Sequence, residues 1–246
     1  MAETTEDALL GGRVRLLQPA KGHRAGTDAV LLAACVTPAL GDLVADMGAA
    51  TGAVGLMIAD RAREARLLFV ERDPGLAELC RTNCVLNGVD GRVTVADLLD
   101  SASRRSGGLR PESADWVVTN PPFLQEGEGR ISPDAGRAAA HVLPRGGLEA
   151  WLRACATLLK PKGRLALVHR ADRLAACLAL GERGFGDLRL RFVHPQAGHP
   201  AIRLLLTAVK GSRAPLMVEP PVILHDSDGR FTAQAEALHR GEALLT

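Results

Sequence analysis

The feature that most constrains this chain is an alternation of two patterns along its first 170 residues. Short, mostly apolar runs at 43–47, 67–70, 93–95, 116–118 and 165–168 are separated by stretches at 53–63, 75–86, 148–159 and 171–184. Those stretches are long enough for helices and carry apolar residues three and four apart. Apolar runs without a polar alternate are what strands buried on both faces of a parallel sheet look like. The expected architecture is therefore α/β, with right-handed βαβ units and ligands at the carboxyl ends of the strands. After residue 185 the rhythm changes. Strand patterns at 188–194 and 201–210 are joined by 195–200, which is too short for a crossover helix, so they pair antiparallel. The full expectation is a doubly wound, mostly parallel seven-stranded sheet ending in an antiparallel hairpin.

Local signals set the element ends. Asp73 caps a helix with Pro74 in its first turn, Gly88 ends that helix, and Pro161 and Gly163 end the next. The polar, Gly-rich and Pro-containing stretches 104–113 and 124–147 read as loops, of a length that is usually functional or mobile. At 246 residues, one domain over 1–246 is expected, with an N-terminal extension 1–25 and a C-terminal tail 212–246.

Composition excludes several classes. With 47% hydrophobic and 24% charged residues the chain is neither disordered nor fibrous. Apolar stretches such as 29–36 fall short of the ~20 residues of a bilayer span, and the acidic start lacks the basic region of a signal peptide. A cytoplasmic protein without membrane contact is expected. The five cysteines, at 35, 80, 84, 155 and 177, are odd in number and contain no Cys-x-x-Cys, so neither a disulfide framework nor a metal site is expected. A net charge of +2 does not by itself indicate nucleic acid. The basic residues of 13–24 and 189–213 are nonetheless clustered, and with Arg130, Arg137 and Arg145 they suit phosphates.

Chemistry concentrates at the strand ends. In Asp46-Met47-Gly48-Ala49-Ala50-Thr51-Gly52 the glycines allow a turn tight enough for a ligand to approach the main chain, and the following helix aims N–H groups at it. A nicotinamide dinucleotide fingerprint would need glycine at the position of Ala50, ahead of Gly52 and Gly55. With its acid closing the strand and Gly48 two residues later, the segment more closely resembles the glycine loop of S-adenosylmethionine-dependent methyltransferases. Glu71 ends the second strand, where a carboxylate accepts from ribose hydroxyls. Asp97, followed by Leu98, ends the third, where an acid and a backbone amide grip an adenine edge. Taken alone, Glu71 or Asp97 is an ordinary solvated strand-end charge; together with the loop, they point to a cofactor.

Asn120-Pro121-Pro122-Phe123 follows the fourth strand. Two prolines donate no backbone hydrogen bond and fix an extended chain, leaving carbonyls and the Asn120 side chain to point into a cleft. Phe123 is one of only seven aromatic residues, five Phe and two Trp, so a ring here reads as a stacking platform for a flat substrate or as a plug of the core.

The glycine loop, Glu71, Asp97 and the Asn-Pro-Pro-Phe quartet resemble class I methyltransferases that modify planar, conjugated nitrogens. Gln18-Pro19, Gly26-Thr27-Asp28-Ala29-Val30-Leu31-Leu32 and His199-Pro200-Ala201-Ile202-Arg203-Leu204-Leu205 narrow the likeness to the bacterial tRNA1(Val) adenine N6-methyltransferase-like proteins, over roughly residues 13–235. The resemblance implies S-adenosylmethionine as cofactor, held by Asp46, Gly48, Gly52, Glu71, Asp97, Leu98 and Asn120, with Asp28 a further candidate or simply a helix N-terminal acid. It implies a tRNA substrate, an adenine near the anticodon, and catalysis by Asn120, Pro121 and Phe123. Asn120 and the Pro121 carbonyl would accept from N6, and Phe123 would stack on the base. Ala50 departs from the family's glycine and adds a methyl near the cofactor, and its replacement by glycine is expected to cost backbone entropy. N5-methylation of a protein glutamine, guanine N2-methylation, and a non-catalytic RNA-binding role are the alternatives. His141, His194 and His199 lack carboxylate partners in sequence and read as surface or hairpin residues.

Overall fold

In a computed structural model, residues 3–21, 24–125, 142–144 and 147–245 are described. The chain opens with a hairpin of β1 (Thr4–Leu9) and β2 (Val14–Pro19). Then follow α1 (Thr27–Ala34), β3 (Leu43–Met47), α2 (Ala53–Arg61), β4 (Arg66–Glu71), α3 (Pro74–Leu86), β5 (Gly91–Val95), α4 (Ser101–Ser106) and β6 (Ala114–Thr119). Two-residue strands β7 (Leu124–Gln125) and β8 (Val142–Leu143) pair with each other. The chain continues through α5 (Gly147–Leu158), β9 (Leu159–Arg170), α6 (Leu174–Leu178), β10 (Phe185–Gln196), β11 (Arg203–Lys210), β12 (Met217–Val218), β13 (Val222–His225) and α7 (Ala233–His239).

The main sheet has the order β12-β10-β11-β9-β6-β3-β4-β5, with β13 also on β10. β9, β6, β3, β4 and β5 run parallel, and β11 lies antiparallel between β9 and β10. The seven expected strands and the closing hairpin are present, and β12 and β13 extend the sheet beyond them. Both faces are covered. Phe69, Leu56 and Ile58 lie in one buried cluster, and Met47, Leu148 and Trp151 in the other. This is why β3, β4 and β6 read as nearly unbroken apolar runs.

Several local expectations change. The stretch 171–184 breaks into a 3-10 turn (Ala171–Arg173), α6 and a second 3-10 turn (Gly181–Arg183), because glycine weakens the helix at Gly181 and Gly184 takes a left-handed φ of +84°. Part of the expected loop 104–113 belongs to α4, whose first amides donate to Asp100. Helix α5 stops at Leu158, so Pro161 and Gly163 fall inside the irregular start of β9, where pairing to β6 shifts register. The stretch expected as a C-terminal tail adds β12, β13 and α7. Ala235 and Leu238 of α7 are buried, and Leu245 N donates to Ala34 O at 2.9 Å, tying this segment to α1. Asp73 caps α3 as expected, accepting from Gly75 N and Leu76 N. Among the described residues no helix is long and apolar enough to cross a membrane.

The N-terminal hairpin is fastened by two asparagines one turn apart, Asn83 in α3 and Asn87 at its C-cap. Asn83 accepts from Leu17 N at 2.7 Å and donates to Leu17 O at 2.9 Å. Asn87 does the same with Arg15 N at 2.9 Å and Arg15 O at 2.7 Å. The two side-chain amides thus stand in for a neighbouring strand along β2. Asn83 is fully buried and also donates to Thr51 O at 2.9 Å, which joins the hairpin to the turn after β3. Asn83→Ala strands three backbone groups and is expected to cost about 3 kcal/mol, against about 1 kcal/mol for the more accessible Asn87→Ala. Urea unfolding checks this, and equal losses would show that the docking is not concentrated at Asn83.

Candidate active site

The site grows out of the turn between β3 and α2. Gly48 has a φ of +79°, and the amides of Gly48 and Ala49 both donate to Val70 O, at 2.8 and 3.0 Å. A Cβ on Gly48 would lie 2.8 Å from Trp151 Cζ2. The indole is fixed in turn, since Trp151 Nε1 donates to Thr119 Oγ1 at 2.9 Å and Thr119 Oγ1 to Met47 O at 2.7 Å. Ring and turn are therefore matched surfaces, and only glycine fits between them.

The acids at the strand ends hold this turn. Asp46 is 2% exposed, and its Oδ2 accepts from Gly55 N at 3.0 Å, satisfying a first-turn amide of α2. Burial pushes its carboxyl up to about 7; the Gly55 amide works against that shift and the Glu71 carboxylate adds to it. Glu71 accepts from Ala50 N through Oε2 and from Asp73 N through Oε1, both at 2.9 Å. Each carboxylate oxygen keeps a second lone pair for a ligand. Asp97 Oδ1 accepts from Leu99 N at 2.8 Å, and Leu98 is buried beside it.

Asp28, Asp46, Gly48, Glu71, Asp97, Leu98, Asn120, Pro121 and Phe123 all line one cleft of about 1590 Å³ at the carboxyl ends of β3, β4, β5 and β6. Pockets for one small ligand hold about 300–1,000 Å³, so this cleft has room for a second flat molecule. Gly52 is the exception among the expected contacts. It caps α2 at a φ of +89° and turns its back to Cys80, whose Sγ would sit 2.7 Å from a Cβ there, so it shapes the turn without lining the cleft.

Asn120 follows β6, and its Oδ1 is buried with no hydrogen-bond partner among the described residues. Such an acceptor is costly in a folded chain and marks a place where a donor belongs. Next to it the Phe123 ring meets His169, with centroids 5.2 Å apart at 60°, and carries Arg203 over it, with Cζ 4.6 Å from the centroid. Asp28 Oδ2 accepts from Arg203 Nε at 3.0 Å.

Trp151, Thr119, Asn83 and His169 were not singled out by sequence. Trp151 sits in an ordinary amphipathic helix, and its only signal is being one of two tryptophans. His169 follows Val168 near the end of a buried strand, a polar residue where the run should stay apolar. Burial above all, then the nearby Arg173, lowers its pKa to about 4, with Asp172 opposing and Arg170 and Arg203 adding to the drop. His194 and His199 lie in the β10–β11 hairpin, where His194 Nδ1 is 2.6 Å from His199 O, and His141 lies outside the described residues. The clustered basic residues are largely engaged with acids: Arg13 with Asp60, Arg15 with Glu6, Arg24 with Asp7, Arg189 and Arg191 with Glu219, and Lys210 with Glu112. Arg130, Arg137 and Arg145 lie outside the described residues. Among the described residues no cluster of His, Cys, Asp or Glu side chains is arranged to hold a metal ion.

Ala50 has a φ of +48°, a left-handed conformation that costs a residue with a Cβ roughly 1 kcal/mol and glycine almost nothing. The expectation from sequence is thereby reversed. Ala50→Gly should raise stability by about 1 kcal/mol and keep or improve cofactor affinity, as read by thermal unfolding and calorimetric titration. Tenfold weaker binding by a folded variant would show that the Ala50 methyl makes a productive contact.

Asp46 generates a pH signature. Its carboxyl titrates near 4 when unfolded and at about 7 when folded, so the folded state keeps a proton that the unfolded state has lost. Its stabilising contribution is complete below pH 4 and lost as pH rises to about 7. Relative to Asp46→Asn, the wild-type protein should lose up to about 4 kcal/mol across that window. Parallel stability–pH curves for the two proteins would contradict the assignment.

Comparison with known proteins places this geometry. The methyltransferase small domain matches residues 24–182. A Porphyromonas gingivalis protein named tRNA1(Val) (adenine(37)-N6)-methyltransferase is 36% identical over 157 residues, 61% of this chain. That match spans 60% of the relative's own length. An Aeromonas hydrophila protein of the same name is 30% identical over 215 residues, 85% of each chain. A solved structure described as a predicted O-methyltransferase from Agrobacterium tumefaciens superposes with a TM-score of 0.74 at 31% identity, covering 89% of this chain and 98% of its own. The chain belongs to the methyltransferase small-domain family, in the group of the tRNA1(Val) (adenine(37)-N6)-methyltransferases.

Proposed function

We propose that this protein is an S-adenosylmethionine-dependent methyltransferase that modifies N6 of an adenine in tRNA, in the anticodon region. The observation that carries this reading is the orphaned Asn120 Oδ1, buried on a residue that lines the same cleft as Phe123 and the glycine turn. The residues present fit the cofactor. Asp46, Glu71 and Asp97 put three carboxyl groups along one wall of the cleft, suited to a ligand with cationic groups and ribose hydroxyls, and Gly48 lines the same cleft. In this reading Glu71 accepts from the ribose, Asp97 and the Leu98 amide hold an adenine edge, and Asp46 keeps the turn in shape. When bound, the cofactor supplies an electrophilic methyl group.

The chain's own contribution is to prepare the acceptor. An exocyclic adenine nitrogen is a weak nucleophile because its lone pair is delocalised into the ring. Asn120 Oδ1 and the Pro121 carbonyl accept its two N–H groups and draw it toward tetrahedral geometry, freeing that lone pair. Acceptors fixed in advance where positive charge develops supply most of the acceleration. Phe123 stacks on the base, which an anticodon-loop nucleotide presents after unstacking. His169, with its pKa of about 4, is a poor base at neutral pH, and none is needed because the methylated nitrogen loses its proton readily to water. In this reading two carbonyl acceptors serve one nitrogen, which suits an amino group better than a hydroxyl, which has a single hydrogen to donate. That favours a nitrogen acceptor over the oxygen acceptor implied by the description of the Agrobacterium structure. Guanine N2 and a glutamine amide satisfy the same pair, and the names of the relatives favour adenine in tRNA.

Asn120→Ala should lower turnover on unmodified tRNA on the order of a hundredfold while cofactor and RNA affinities barely move. Phe123→Ala should weaken capture of the base by about 1–3 kcal/mol, and Phe123→Tyr should stay active. Wild-type turnover by folded Asn120→Ala would reduce the quartet to a rigid turn.

A further inference from the structure

Arg203 opens β11, where its backbone is fixed between Arg170 of β9 and Val193 of β10. In sequence it counts among the basic residues suited to phosphates. Its side chain is engaged otherwise: Nε donates to Asp28 Oδ2 at 3.0 Å, Nη1 donates to Ile202 O at 3.0 Å, and Cζ lies 4.6 Å from the Phe123 centroid. A guanidinium within about 6 Å of a ring centroid is attracted by the ring's π face. His169 meets the same ring at 60°. Phe123 therefore touches both a cation pinned by a carboxylate and a buried imidazole, and it also lines the cleft.

We propose that Arg203 is a positioning residue which, held by Asp28, sets the plane of the Phe123 ring for a flat acceptor. The proposal rests on the reading of Phe123 as the stacking platform. It gives Asp28 the task of counter-ion to Arg203 in place of a cofactor contact. It also takes Arg203 out of the phosphate-binding set, because a phosphate would have to compete with a carboxylate already at 3.0 Å. The pair links three distant parts of the chain, the start of α1, the quartet after β6 and the start of β11, so that the quartet's ring is oriented by a strand beyond the shared parallel core.

The test is a double-mutant cycle with Arg203→Met, which removes the charge and keeps bulk. On an unmodified tRNA transcript, Arg203→Met should lower kcat/KM about tenfold in the wild-type background and less than twofold in a Phe123→Leu background. The slope of log Kd for RNA against log salt should not change. Equal fold-losses in both backgrounds, or a salt slope reduced by about one, would make Arg203 a phosphate contact and overturn the proposal. Wild-type protein inert toward tRNA would overturn the functional reading instead. The ring is therefore also followed without substrate, by ¹⁹F NMR of 4-fluorophenylalanine-labelled protein, with the Phe123 resonance identified by its loss in Phe123→Leu. Arg203→Met and Asp28→Asn should both shift and broaden that resonance. A Phe123 signal unmoved by either substitution overturns the positioning role.

Discussion

Everything at the carboxyl edge of the sheet depends on the contact between the Gly48 turn and the Trp151 indole. The indole is held at one end by Thr119, and Thr119 is held by Met47 O at the end of the very strand that makes the turn. β3, β6 and α5 thereby lock one another, and the main chain after β3 is drawn onto Val70 O. A Cβ at position 48 would lie 2.8 Å from the indole, so the turn or the ring would have to shift. A shift there bears on the strand end that precedes Asn120, because Thr119 holds both the indole and Met47 O.

The acids of the cleft have a dual character. Asp46 and Glu71 spend part of their hydrogen-bonding capacity on the backbone amides of Gly55, Ala50 and Asp73, which keeps the turn rigid. They are charged or chargeable groups gathered where water is scarce, which is why the carboxyl of Asp46 sits so far above its ordinary range. Carboxyl groups perturbed in this way gather at functional sites. The left-handed Ala50 adds backbone strain at the same place.

Much of this was legible in sequence because the signals were local. Unbroken apolar runs report burial on both faces, which fixes a parallel sheet, and the 195–200 connection fixes the antiparallel hairpin. Acids at successive strand ends announce the cleft because the topology places those ends side by side. What escaped was non-local. The pairing of Asn83 and Asn87 with β2 spans 66 and 72 residues, and the bond from Arg203 to Asp28 spans 175, separations over which no periodicity speaks. The helix pattern at 171–184 failed for a different reason, since glycines at 181 and 184 outweigh the apolar spacing.

Identification of the methylated nucleoside is the most direct measurement. Purified protein is incubated with methyl-¹³C S-adenosylmethionine and tRNA from cells lacking the gene, and the digested nucleosides are resolved by mass spectrometry. A ¹³C-methyl group on N6 of adenosine, formed on the order of a hundredfold more slowly by Asn120→Ala, is the predicted result. A label found on oxygen, on guanine or on protein alone, or no transfer at all by folded enzyme, would contradict it.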